Sequence, residues 1–176
     1  MSIGDAEIKT QERVIRFFKD PEILGYQYIG NLSDQQNKNI KEDRLRQYLR
    51  LKGYADKLID AAVMQLQQEA GNLSRGLYDA NKTVYSRLKY GIPVSESPEK
   101  PPVTVQLIDE ENPLNNDFAI AEEVKVVEQS EKRPDLVVYL NGIAVAVIEL
   151  KRSSISVSEG CLLYTSPSPR DPKTSR

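Results

Sequence analysis

The chain has 176 residues, a formal net charge of −2, one cysteine and no histidine, which excludes an internal disulfide framework, histidine-based acid–base chemistry and the usual zinc or haem sites. An apolar content of 39% and a mean hydropathy of −0.51 describe a soluble single domain without a membrane span. The N-terminal MSIGDAEIKTQERVIRFF lacks the features of a secretory signal, and the lone Cys161 suits a reducing cytoplasm.

A metal held by this composition must be bound through oxygen, which points to Mg2+ or manganese. The charge carries no global nucleic-acid signature, although a local surface can still bind DNA.

Residues 10–19 predict a short amphipathic helix with Val14, Phe17 and Phe18 inward, closed by Pro21. A short extended piece and a loop follow over 26–34. Residues 41–51 predict a second helix packed through Leu45, Tyr48 and Leu49, with Gly53 as its stop. Residues 55–70 carry a stronger 3.6-residue period in Leu58, Ile59, Ala62, Val63, Leu66 and Ala70, ended by Gly71-Asn72. Residues 79–90 give a fourth helix, capped by Asp79 and stopped by Gly91.

After Pro98, Pro101 and Pro102 the period changes to two. Strands are expected at 103–109, 118–127, 135–140 and 143–151, the last two split by Asn141-Gly142. Helices followed by strands predict an α/β fold in α+β order, with a central mixed sheet of about four strands flanked by helices. The last two strands are apolar on both faces, as expected when helices cover both sides. Residues 161–176, with Pro167, Pro169 and Pro172, carry neither period and are expected to be disordered. The domain is therefore assigned to 1–160 and a tail to 161–176.

Glu149 and Lys151 stand two apart at the end of an Ala/Val/Ile strand and share a face. Alone, the pair also fits the solvated rim of a strand. Asp135 opens the preceding strand behind Pro134, and the hairpin register decides whether the carboxylates meet. A two-residue Asn141-Gly142 loop pairs Leu140 with Ile143 and puts Asp135 and Glu149 on opposite faces. A three-residue Leu140-Asn141-Gly142 loop with a G1 bulge pairs Tyr139 with Ile143 and puts them on one face. The chemistry predicts the bulged loop. Asp135, Glu149 and a strand carbonyl such as that of Leu150 are then candidate ligands of a hard divalent cation, with Lys151 placed to orient the attacking water.

At these residues the chain resembles the PD-(D/E)xK nuclease superfamily and, more narrowly, the N-terminal nuclease domain of the R subunit of type I restriction–modification enzymes. RPDLVVYLNGIAVAVIELKRSS (133–154) carries the resemblance, extended by NKTVYSRLKYGIPV (81–94), VTVQLIDEENPLNNDFAI (103–120) and Gln11-Glu12. The resemblance implies a restriction-endonuclease-like core, Asp135 and Glu149 as metal ligands, Lys151 as the catalytic lysine, and Glu12 as an acidic residue brought near by the first helix. It implies double-stranded DNA as substrate and, for the full-length protein, an ATP-driven motor with methyltransferase and specificity subunits as partners. No Gly-x-x-x-x-Gly-Lys-Ser/Thr loop is present, so ATP is not expected to bind this chain in the family's manner. The family's Gln-x-x-x-Tyr helix is missing after Gly160, and CLLYTSPSPRDPKTSR resembles translated adapter sequence, so a truncated domain with a foreign tail is expected.

Lys38, Lys41, Arg44, Arg46, Arg50 and Lys52 form a basic run interrupted by Glu42 and Asp43. Helix solvation explains it better than phosphate contact. Tyr26, Tyr28, Tyr48 and Tyr54 are expected to be packing residues. Two competing functions remain: another divalent-metal nuclease, such as a repair or transposon-end enzyme, and a non-catalytic DNA-binding or docking module.

Overall fold

The helical and strand periods build two layers that meet at one hairpin turn. The computed structural model describes residues 3–33, 39–72, 74, 76–97, 99–122, 126–127, 131–132 and 134–150. Lys38, Lys151 and the 161–176 tail lie outside them.

Helix α1 (Ile3–Lys19) is longer than the expected 10–19. Ile15 is buried, with Val14 and Phe18 packed beside it, whereas Phe17 is exposed. Successive helical residues are rotated by about 100°, so Val14, Ile15 and Phe18 share a stripe that Phe17 leaves. Strand β1 (Gln27–Asn31) follows. Helices α2 (Glu42–Leu51) and α3 (Asp56–Gly71) bury Leu45, Tyr48 and Leu49, and Leu58, Ile59, Ala62, Val63 and Leu66, as their periods require. Helix α4 (Leu77–Tyr90) starts after Gly76, so Asp79 lies in its first turn and is not its cap. Gly91, at φ +76°, ends it; a Cβ there would lie 2.8 Å from the Val105 carbonyl oxygen.

Strands β2 (Ile92–Val94) and β3 (Val103–Val105) form a separate antiparallel pair. The 103–109 segment was expected in the central sheet, and β2 was not expected at all. Ile92, Val94, Val105 and Leu107 instead bury against α2 and α3, where the helical core supplies their apolar partners. A 3-10 turn spans Pro113–Asn115, followed by β4 (Phe118–Glu122), the short antiparallel pair β5 (Val126–Val127) and β6 (Glu131–Lys132), then β7 (Leu136–Leu140) and β8 (Ile143–Ile148).

The central sheet is mixed and four-stranded, in the order β1-β4-β7-β8, with β1 parallel to β4 and the other neighbours antiparallel. Its first member is thus β1 from the N-terminal part of the chain. Ile15 of α1 packs on Ile120 and Leu136, with Ile148 and Leu150 beside them. The other face gathers Leu32, Ala119, Ala121, Val137 and Tyr139. Strand β8 closes the order and is not covered on both faces as expected: Val145 and Val147 stay 46% and 48% exposed.

The β7–β8 turn joins the layers. Asn141 is fully buried and saturated. Its backbone N–H donates to the Asp117 carbonyl (2.8 Å), its Oδ1 accepts from the Asp117 N–H (2.7 Å), and its Nδ2 donates to the Leu107 carbonyl and Asn116 Oδ1 (both 2.8 Å). Gly142, at φ +81°, lies against the start of α2, where a Cβ would sit 2.5 Å from the Lys41 carbonyl oxygen. Its own carbonyl accepts the Lys41 N–H at 2.7 Å.

Within the basic run, Arg44, Arg46, Arg50 and Lys52 are neutralised by carboxylates of the fold. Arg44 grips Asp117 with both ends of its guanidinium (2.8 and 2.5 Å), Arg46 meets Glu42 and Asp60, Arg50 meets Asp56, and Lys52 meets Asp109. Lys52, then the Asn115 side chain and the Asn112 N–H, hold the Asp109 carboxyl well below the usual carboxylate range.

Two outcomes are expected. Asn141→Ala leaves buried backbone groups of residues 107 and 117 unpaired and should lower the unfolding free energy by about 3 kcal/mol, read from urea midpoints; a loss under about 1 kcal/mol contradicts this account. Asp109 is depressed in the fold relative to an unfolded value near pH 4. Its stabilisation is therefore complete above that pH and is lost as pH falls towards the folded value. Asp109→Asn should flatten the decline of the melting temperature between roughly pH 5 and pH 2.

Candidate active site

The hairpin that carries the candidate residues differs from the expected one. Asn141 (φ +51°) and Gly142 (φ +81°) both adopt left-handed conformations, and Leu140 pairs with Ile143. This is the two-residue loop, not the bulged Leu140-Asn141-Gly142 loop. Paired left-handed residues match the twist of the flanking strands, and Asn-Gly is the dipeptide that best adopts them.

A bulge lies further along instead. Tyr139 pairs with Ala144 but Val138 pairs with Ala146, so Val145 is the extra residue. From there the register runs Val137–Val147 and Leu136–Ile148. Extended one step beyond the paired residues, the same register would set Asp135 opposite Glu149. The parity that the carboxylates require is restored by a bulge in the middle of β8.

The two strand ends are tied together. Asp135 stands in a bend between buried Pro134 and β7, and its Oδ2 accepts the Leu150 backbone N–H at 2.6 Å. Both Asp135 and Glu149 are half-buried, while Leu150 packs its side chain with Ile148 towards Ile15, Ile120 and Leu136. Lys151, one residue on, lies outside the described residues.

Glu122 was not singled out from the sequence. It closes β4 directly opposite Leu136, at the same end of the sheet as Asp135 and Glu149. Its carboxylate accepts from the Tyr28 hydroxyl (2.6 Å) and Gln11 Nε2 (3.0 Å), which links α1, β1 and β4. Burial and then this carboxylate push the Tyr28 phenol up to about 12. Gln11 thus ties α1 to this end of the sheet by a hydrogen bond; its neighbour Glu12 is exposed, and the Glu12 carbonyl accepts Arg16 Nε at 3.4 Å. The only sequence signal for Glu122 was a carboxylate ending an apolar strand, which many solvated residues share.

The donor chemistry at the β7–β8 ends suits a hard cation: two carboxylates and backbone oxygens, with no soft ligand. Among the described residues no three His, Cys, Asp or Glu side chains gather to hold a metal. Asp135, Glu149 and the Leu150 carbonyl are the candidate donors for such a cation.

A stretch of the chain is 40% identical over 76 residues to a protein of Methanocaldococcus jannaschii named "Putative type I restriction enzyme MjaIXP endonuclease subunit". The match covers 40% of this chain and 7% of that relative, so the chain corresponds to a small part of its length. No solved structure matches. The family model described as the type I restriction enzyme R protein N terminus matches residues 7–162, nearly the whole described fold. The chain belongs to the family of N-terminal regions of type I restriction enzyme R proteins.

Proposed function

We propose that this chain is the DNA-cleaving part of a type I restriction enzyme R subunit, with a PD-(D/E)xK centre formed by Asp135, Glu149 and Lys151. The observation that carries the reading is the Asp135–Leu150 hydrogen bond at 2.6 Å. With the β8 bulge, it joins the two strand ends on which the motif lies, within a chain of that family.

Asp135 and Glu149, with the Leu150 carbonyl, are the residues that would hold Mg2+. That ion, when bound, would polarise a phosphate oxygen and lower the pKa of a coordinated water. The chain's own part is preorganisation. The Leu150 N–H fixes the Asp135 carboxylate, so it need not be reoriented when DNA arrives. In this reading Lys151 would supply the positive charge that orients the attacking water and offsets charge in the transition state. Glu12, the acidic residue that the resemblance assigns to the site, is exposed on α1 beside the Gln11 anchor and is not gathered with Asp135 and Glu149 among the described residues. ATP-driven translocation and contacts with methyltransferase and specificity subunits belong in this reading to the remainder of the parent protein.

The test uses the complete R-subunit assembly. Asp135→Ala and Lys151→Ala should each lower Mg2+-dependent cleavage of double-stranded DNA by on the order of a hundredfold or more, as expected when a preorganised charge-stabilising group is removed. ATP hydrolysis, measured in the same samples, should persist. Cleavage at the wild-type rate in Asp135→Ala sinks the assignment.

A further inference from the structure

The basic residues of the helical layer fall into two sets. On α2 the arginines and Lys52 are bound by carboxylates of the fold, as described above. On α4 the pattern is different. Tyr78, Lys82, Tyr85 and Lys89 recur at intervals of four, three and four residues, so they form a single stripe along one side of the helix. Tyr78 is 77% and Tyr85 64% exposed, and both lysines are exposed. The opposite side, with Ala80, Val84 and Leu88, faces the core shared with α3.

Among the described residues neither Lys82 nor Lys89 has a salt-bridge partner; Lys89 Nζ lies 5.3 Å from the centre of the Tyr90 ring. Asp79, the acidic residue of α4, sits about a quarter-turn off the stripe. The stripe itself alternates cations with large aromatic rings; the carboxylates nearest to it are Asp79, one turn before Lys82, and Glu110, which acts on Lys89. At 1.5 Å per residue the lysines stand about 10 Å apart along the axis, within the spacing of a few successive phosphates.

We propose that this side of α4 is a contact surface for the phosphate backbone of DNA. The inference rests on the reading of the chain as a DNA-cleaving domain and adds to it a place, away from the cutting residues, where the nucleic acid is held. Each lysine has an ammonium ready to replace condensed counterions on a phosphate. Each tyrosine offers a hydroxyl donor and a ring that packs against sugar or base. Tyrosines also mark protein interfaces, but two exposed lysines outside any salt bridge of the described residues, set between the rings, favour a polyanion.

The test is binding of a short fluorescein-labelled DNA duplex to the 176-residue chain by fluorescence anisotropy, with chelator present so that no cleavage occurs. The double variant Lys82→Glu/Lys89→Glu should bind roughly tenfold more weakly, and its plot of log affinity against log salt should be shallower by close to two, one unit per lost phosphate contact. Tyr78→Ser/Tyr85→Ser should weaken binding with the slope kept. Arg50→Glu, a reversal on the neutralised α2, should keep the wild-type slope. Urea midpoints establish that each variant is folded, and Lys82→Gln/Lys89→Gln is read if the charge reversal is not. No DNA binding by the wild type overturns the proposal. So does wild-type affinity and slope in the lysine variant, which would leave the stripe to a protein partner, or an equal loss in Arg50→Glu. A failure here with cleavage still abolished by Asp135→Ala refutes the α4 surface alone; a loss of binding here with cleavage intact in Asp135→Ala refutes the catalytic assignment alone.

Discussion

The buried Asn141-Gly142 turn is the constraint through which the two layers of this protein are joined. Asn141 satisfies backbone groups of residues 107 and 117 and the side chain of Asn116, while Gly142 lets the backbone approach the start of α2. A buried amide is costly unless its donors and acceptor are paired, and here they are. The same turn fixes where β7 and β8 begin to pair. Every contact further along that ladder depends on it.

That dependence explains how a site can sit at the far end of the hairpin. With the tight turn alone, the strands would arrive with Asp135 and Glu149 on opposite faces. The extra residue at Val145 shifts the register by one and reverses the parity. The Asp135–Leu150 hydrogen bond then holds the strand ends where the bulge has brought them. α1 is anchored at that end too, through Gln11 and Tyr28 on Glu122. Structural and candidate catalytic carboxylates thus occupy neighbouring strands with distinct partners.

The charge distribution has a related logic. The net charge is close to neutral, yet the cations are not equivalent. Those on α2 are spent on Asp117, Glu42, Asp60, Asp56 and Asp109, in pairs that pin α2 to its surroundings. A count of lysines and arginines cannot separate these from the cations of α4. Their partners come from segments distant in the chain.

The sequence by itself determined the helices over Leu45–Leu49 and Leu58–Leu66 and the hairpin around Asn141-Gly142, and it carries the spacing of Asp135, Glu149 and Lys151. Each rests on a local period, a turn dipeptide or a short spacing, which needs no knowledge of distant residues. It did not reveal that β1 joins the central sheet while 103–105 leaves it for β2. Nor did it reveal that Phe17 turns outward or that Glu122 closes β4 opposite Leu136 and anchors α1 there. Those were decided by which apolar face found a partner across the chain. The hairpin shows the division most directly. Asn-Gly specified a tight turn, but the bulge at Val145 sits in an unbroken apolar run, Ala-Val-Ala-Val, where nothing marks one residue as the extra one. It is legible only in the pairing across the sheet, where Tyr139 meets Ala144 and Val138 meets Ala146.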